Sequence, residues 1–432
     1  MGDEIKSDSF SKEAEECFHE NLREETKVLN RFFKEEAFCD SAPMCGLEIE
    51  GWLTNKDFIP APLATEFLKT LDHKLVVPEI SLYNFEINSE PLPASGWLLS
   101  ILETNTLEIW KLVEEAADKH DLLPFTIGTL PTLRDYMLSM KFLTPGNRYT
   151  VLNDRILASR KGRPLTIDIE GKEAIYFKQD NVITECAATS LQIHYGVSQL
   201  NSKDFYNASI VSSCFMAAIS ANSPFFFGHD LWSESRVRIF EQSVESFSYR
   251  TKDGDFSKRV SLGNGYIKNS LMELFLENLD GHPALLPEVF QDSDPDSLSH
   301  FKLQNGTVWR WNRPIVGTSK EGRPNLRMEF RVPSSGPSIV DSIGNIAFQI
   351  ALVEYLRELD DLTELIPFSV AEDNFYNACK YGMEANIKWV DGEKHNIRTL
   401  MATEILPRCI DTLNDLSYDS EDIEKYLVDV IG

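Results

Sequence analysis

The sequence predicts an α+β protein in which a mainly antiparallel sheet is packed by helices. Two patterns carry that expectation. Segments of period-two hydrophobicity are scattered along the chain, and amphipathic helical stretches fall among them without a regular strand–helix–strand rhythm. A third observation is quantity: 432 residues, 42% hydrophobic and 25% charged, supply a large core and are too apolar for a disordered chain.

In order, residues 12–38 predict a charged amphipathic helix, because Phe18, Leu22, Leu29, Phe32 and Phe33 recur near helical spacing. Ser41-Ala42-Pro43 ends it. Strands of alternating pattern are expected at 47–53, 82–89, 165–170, 174–178, 189–197, 307–311 and 325–332. Helices are expected at 97–120, 203–221, 267–279 and 338–359, with two more beyond residue 372. The acidic stretch 291–297 is expected to be a mobile loop. No linker rich in Gly, Ser or Pro cuts the chain, and no repeat is present. The expected organisation is a helical N-terminal extension over 1–40, then one catalytic domain over 41–432 with a helical C-terminal part.

Charge narrows the partners. Asp+Glu 68 against Lys+Arg 42 gives −26, which repels a polyphosphate backbone and an anionic bilayer, so neither nucleic acid nor membrane is expected. No run of about 18 apolar residues occurs, and Met1-Gly2-Asp3-Glu4 does not have the shape of a signal peptide. The seven cysteines form no CxxC pair, which argues against a disulfide framework and a structural zinc site. A soluble protein of a reducing cytoplasm is the expectation. Composition leaves an oligomer open.

Residues i, i+2 and i+4 of a strand share a face. Read that way, four strands carry unusual polar faces: Glu48 and Glu50; Asn84, Glu86, Asn88 and Glu90; Ser190, Gln192 and His194; Arg327, Glu329 and Arg331. The ordinary wet face of an antiparallel sheet is one explanation. Such faces are usually built of Thr, Lys, Ser and Gln, however, and several carboxylates with one His on a shared sheet repel one another unless cations sit among them. Carboxylate and imidazole donors suit Mg²⁺ or Mn²⁺, and guanidinium groups beside them grip phosphate oxygens. Together they are the equipment of metal-assisted phosphoryl transfer.

The segments GLEIE (46–50), NFEIN (84–88), TSLQIHYGV (189–197), ANSPFFFG (221–228), LQNGTVWRWNRP (303–314) and RMEFRVPSSGPS (327–338) resemble the glutamate–cysteine ligase superfamily, in particular its bacterial carboxylate–amine ligase branch. That resemblance implies a glutamine-synthetase-like fold, a curved, mainly antiparallel sheet with the active site on its concave face. It also implies ATP and Mg²⁺ (or Mn²⁺), and an acyl phosphate made from a carboxylate, usually the γ-carboxyl of glutamate, that an amine then displaces. By motif, Glu48, Glu50, Glu86, His194 and Glu329 would be metal ligands. Arg331, with Arg327, would bind the transferring phosphoryl oxygens. Glu90 falls beyond the matching motif.

Beside these, Asn88 and Gln192 are expected to meet substrate. Arg236 is a candidate for a substrate carboxylate, with a structural salt bridge as the competing role. Trp309 and Arg310 are candidates for the acceptor pocket and for phosphate or substrate, with core packing as the alternative. Asp168 and Glu170 are expected to face solvent on a hairpin, and Cys186 to be a buried thiol. Two other functions stay open on the same face: a metal-dependent phosphotransferase, and a non-catalytic sensor of nucleotide or amino acid.

Overall fold

Period-two patterning becomes an eight-stranded sheet in the computed structural model, which describes residues 5–39, 42–246, 258–291, 293–319 and 322–432. Its strands are β1 (Met44–Thr54), β2 (Val76–Pro78), β3 (Asn84–Asn88), β4 (Leu92–Pro93), β5 (Leu123–Phe125), β6 (Leu191–Val197), β7 (Asn312–Thr318) and β8 (Pro324–Phe330). The order across the sheet is β7-β8-β6-β1-β3-β2, with β4 and β5 also paired to β1, and every pairing is antiparallel. The sheet curls into a half-barrel with helices packed around it.

Alternation sorts the side chains. Leu47, Ile49, Phe85, Ile87, Leu191, Ile193, Tyr195, Met328 and Phe330 are buried in the core. On that side the Ser202–Ile219 helix packs against the Ile339–Arg357 helix, and Phe205 stacks on Tyr195 at 5.4 Å between ring centroids. The Ile339–Arg357 helix starts where the Ser338 hydroxyl accepts from the Asp341 N–H, satisfying one of the first-turn donors. It is the one described helix long and apolar enough to cross a membrane, and 83% of its most apolar window is buried inside the fold. The opposite face of the sheet carries the polar residues.

The N-terminal helix runs over Lys12–Lys34, capped by the Ser11 side chain on the Ala14 N–H. It packs on the Met272–Gly281 and Ser299–Asn305 helices. There Glu25, 2% exposed, accepts from the Phe301 N–H at 2.7 Å and bonds His300 Nδ1 at 2.6 Å. Residue 41, the first of the expected break, lies outside the described residues, as does residue 40.

One expected element is corrected, and several others had no signal in the sequence. The strand expected over 307–311 shrinks to Trp309–Arg310, which pairs in parallel with Val260–Ser261 and is not part of the main sheet. The chain then forms the unanticipated edge strand β7. Its Pro314 disguised it, yet an edge strand tolerates proline because one side of its ladder is unpaired. Short helices at Ala64–Leu71, Asn147–Ser159 and Ser299–Asn305 also had no clear periodicity in sequence. In the acidic stretch 291–297, of which residue 292 lies outside the described residues, Asp294 caps a turn of 3-10 helix at Pro295–Ser297, and Asp296 pairs with Arg31 at 2.8 Å. Asp168 and Glu170 are exposed on the Leu165–Glu170/Ala174–Gln179 hairpin, as expected. Cys186 is buried, also as expected.

Candidate functional site

Register brings the acidic strands together. Glu50 on β1 lies opposite Glu86 on β3, Glu48 opposite Gln192 on β6, and Glu329 on β8 opposite His194 on β6. Paired residues of neighbouring strands point to the same face, so four strands deliver their polar side chains to one concave surface.

Two groups result, each with its ligand atoms within 4.8 Å of one another: Glu48, His194 and Glu329; and Glu50, Glu79 and Glu86. All five sequence-predicted ligands are here, divided between the groups. The sixth member, Glu79, escaped the sequence reading. It follows Pro78 just beyond the three-residue strand β2, where no alternation marks a face.

The groups differ in electrostatics. In the first, the His194 Nε2 atom meets Glu48 Oε1 at 3.0 Å and stands 3.9 Å from Glu329 Oε1. Burial opposes ionisation of Glu48, but the charge and hydrogen bond of His194 outweigh it and hold the carboxyl at about 2. Glu329 is 2% exposed and would lose its charge to desolvation. Arg313, then Arg331 and His194, hold it well below the usual carboxylate range instead. Arg313 grips it bidentately, Nε to Oε2 at 2.7 Å and Nη2 to Oε1 at 2.8 Å.

In the second group, burial and then the neighbouring Glu86 push Glu50 up to about 7, although it accepts from the Ser190 N–H at 2.6 Å, the Ser190 hydroxyl and Gln192. Burial and then Glu48 raise Glu86. Burial, followed by Glu86 and Glu50, raises Glu79 strongly. A fourth carboxyl, Glu185 from the Ile183–Ala187 turn, is pushed up to about 8 by burial and then by Glu50. Carboxylates crowded this way ionise together only with a cation among them, and an all-oxygen donor set suits a hard divalent ion. The first group, two carboxylates and an imidazole, suits Mg²⁺ or Mn²⁺ as well. The residues fit such ions.

Arg331 stands between the groups. Its Nη1 donates to Gln192 Oε1, which in turn bonds Glu50 through Nε2, and lies 3.2 Å from Glu329 Oε2. Its Nε is buried and has no partner in the fold. A buried cationic donor left open in this way can accept an anion. Arg327 donates from Nε to His194 Nδ1 at 3.2 Å. Asn88 donates to Glu86 Oε1 at 2.9 Å, so its position on the face orients a carboxylate. Glu90 is exposed and paired with Lys74, away from both groups.

Two expected substrate residues are placed otherwise. Arg236, 1% exposed, bonds Glu234 through Nε at 2.8 Å and donates to the carbonyls of Arg331 and Val332. These partners are the salt bridge weighed against a substrate role, and they tie Arg236 to the chain after β8. Arg310 is also 1% exposed and meets Asn278 at 2.6 Å and Glu277 at 3.0 Å, on the Met272–Gly281 helix. It lies outside the two groups. Trp309 is half-buried beside Phe240, at 6.2 Å between centroids. The arginine that does reach the face, Arg313, sits three residues further on; its sequence signal was hidden by Pro314.

The sequence profile of glutamate-cysteine ligase family 2 (GCS2) matches residues 44–416. No curated protein sequence matches this chain. Among solved structures, the glutamate–cysteine ligase of Francisella tularensis in complex with AMP is similar at a TM-score of 0.56 and 10% identity, over 91% of this chain and 82% of that one. A bifunctional glutathione synthetase from Pasteurella multocida is similar at a TM-score of 0.49 and 10% identity, over 94% of this chain and 50% of that one. At that identity the likeness to the Francisella tularensis enzyme speaks to the fold.

Proposed function

This chain belongs to glutamate-cysteine ligase family 2, and is thereby an ATP-dependent carbon–nitrogen ligase of the glutamate–cysteine ligase type; on that premise we propose that it joins the γ-carboxyl of glutamate to an amine through an acyl phosphate, with divalent cations held by the two acidic groups. The observation that carries the site assignment is the pair of groups on one concave face with Arg331 between them.

A carboxylate is a poor acyl donor because its leaving group is oxide. Transfer of the terminal phosphoryl group of ATP to the carboxylate oxygen gives ADP and a mixed anhydride. The amine then attacks the carbonyl carbon, the C–O bond to phosphate breaks, and inorganic phosphate and a proton leave with the amide. Both substrates are anionic. Divalent cations at Glu48, His194 and Glu329 and at Glu50, Glu79 and Glu86 would neutralise that charge and orient the oxygens. Arg331 offers its open Nε to phosphoryl oxygens, and charge neutralisation of this kind does most of the work in phosphoryl transfer. Gln192 ties Arg331 to Glu50 and so keeps the phosphoryl-binding and cation-binding atoms in register. Arg327, with Nε 3.2 Å from His194 Nδ1, brings a second guanidinium to the first group for phosphoryl oxygens.

The test is ADP release by purified protein with Mg²⁺, ATP and L-glutamate against a panel of amines, with product masses. The expected result is ADP formation that requires both glutamate and one amine, a product that joins the two, and loss of turnover in Glu329→Gln. A product that is merely phosphorylated would make the protein a phosphotransferase. Nucleotide binding without turnover under any mixture would leave a sensor.

A further inference from the structure

An arginine keeps its charge when it is buried, so it needs an anion beside it or acceptors for all of its donors. Arg259, 1% exposed, has neither. Its Nη1 donates to the Thr307 carbonyl at 2.9 Å and its Nη2 to the Pro283 carbonyl, both of them neutral. Its Nε is buried without a partner, and among the described residues no carboxylate pairs with it. Burial, with the Arg155 charge adding to it, pushes the guanidinium down to about 9, which leaves it charged at neutral pH.

A second buried arginine stands beside it. Ser261 pairs in parallel with Arg310, and the Trp309 N–H bonds the Arg259 carbonyl at 2.7 Å, so both arginines issue from one short ladder. Arg259 lies two residues before Ser261, which puts the two side chains on one face. Both reach the same helix pair. Arg310 Nη1 donates to Asn278 Oδ1 at 2.6 Å, Gln304 Nε2 bonds the Asn278 and His282 carbonyls at 3.0 and 2.8 Å, and the Thr307 hydroxyl bonds the Gln304 carbonyl at 2.9 Å. His282, 3% exposed, feels both charges: burial, then Arg259 and Arg310, hold its imidazole well below the usual range, so it is neutral and adds no charge of its own. Arg310 is matched by Glu277, whose Oε1 stands 3.0 Å from its Nη2 and also accepts from Asn264 at 2.7 Å. The contact with Arg310 is an ion pair without hydrogen-bond alignment, so Nη2 remains a second open buried donor. Two guanidinium charges thus face one carboxylate, in a chain whose net charge is −26.

We propose that Arg259 and Arg310 hold a buried monovalent inorganic anion, a halide such as chloride, between the open Nε of the one and the open Nη2 of the other. Charge and access choose the occupant. One unmatched positive charge calls for one negative charge, and donors on side chains 1% exposed exclude a nucleotide, a sugar phosphate or a peptide carboxylate. The site lies where the Val260–Ser261 and Trp309–Arg310 strands meet the Met272–Gly281 and Ser299–Asn305 helices, outside the two acidic groups, and is independent of the ligase reading. The anion supplies the counter-charge that the described side chains lack and ties residues 307–310, just before β7, to the helices packed on them.

The test is equilibrium urea unfolding of the full chain, approached from the folded and the unfolded side, in sodium gluconate buffers where chloride replaces gluconate at constant ionic strength. An ion held by the folded chain and released on unfolding raises the folding constant with its concentration, so the wild type is expected to approach about a tenfold gain per tenfold of chloride, the slope of one ion. Bromide and nitrate are expected to act alike, and gluconate, too large for the site, is not. In Arg259→Met the slope is expected to fall to near zero, because the unmatched charge is gone. A wild-type slope of zero would overturn the proposal, since a neutral partner such as water would then meet these donors. An equal slope in Arg259→Met would overturn it as well, as a general salt effect. Crystals of the wild type, refolded and grown in bromide, need no variant to fold. An anomalous peak within hydrogen-bonding reach of Arg259 Nε and Arg310 Nη2 is the expected result, and no peak there would refute the site.

Discussion

Removing the divalent cation and raising the pH should weaken this protein together, and the sign follows from the second acidic group. The Glu50 carboxyl is moved from its ordinary 4.5 up to about 7 by burial and then by Glu86. Its folded-state affinity for a proton exceeds that of the unfolded chain. Its contribution to stability is thus complete below about pH 4.5 and is lost as pH rises through about 7. The difference, about 2.5 pKa units at about 1.4 kcal/mol each, is about 3 kcal/mol for Glu50. Glu79, Glu86 and Glu185 are shifted in the same direction. Glu48 is the opposite case: held at about 2, it contributes stability above 4.5 that disappears only in acid. Between about pH 5 and pH 8 the raised carboxyls therefore govern. A cation bound at Glu50, Glu79 and Glu86 must expel their protons, so its affinity climbs about tenfold per pH unit for each proton displaced and levels off above their pKa values. The assay is chemical denaturation with EDTA or with Mg²⁺ across that range. With EDTA the unfolding free energy should fall by several kcal/mol as pH rises, and Mg²⁺ should restore it increasingly. A metal-free stability that is flat or rising, or a Mg²⁺ effect of equal size at both ends, would refute the reasoning.

Four further outcomes follow from single side chains. Glu185→Gln removes a buried carboxyl raised to about 8, so it should stabilise the metal-free protein at alkaline pH and leave it unchanged near pH 5, as read by denaturation at both pH values. Arg236→Leu breaks the buried pair with Glu234 and releases the Arg331 and Val332 carbonyls; it should cost about 3–5 kcal/mol in denaturant unfolding. Glu25→Ala strips partners from the buried His300 ring and the Phe301 N–H, and should cost about 3 kcal/mol by the same measurement. Gln192→Leu severs the link between Glu50 and Arg331; kcat for the proposed ligase should fall more than tenfold, about 1.4 kcal/mol or more, as read by steady-state kinetics.

What the sequence determined by itself was the part governed by local periodicity. Alternation along 47–53, 84–88, 191–197 and 325–330 fixes which side chains share a face whatever the strand order, because successive residues of a strand point to opposite sides. The polar faces of β1, β3, β6 and β8, and the family resemblance carried by the same residues, were legible for that reason. So was the acidic character that calls for cations. Only the tertiary structure decided which carboxylates form a group, since Glu48 joins His194 and Glu329 while Glu50 joins Glu86 through register between strands far apart in sequence. It alone supplied Glu79 and Glu185, which lie on a short edge and on a turn where no period exists, and Arg313, on an edge strand that Pro314 concealed. It also gave Arg236 and Arg310 buried protein partners. The charge of an arginine is written in the sequence, but its partner is set by burial and by which carbonyls and carboxylates the fold brings within hydrogen-bonding distance of it.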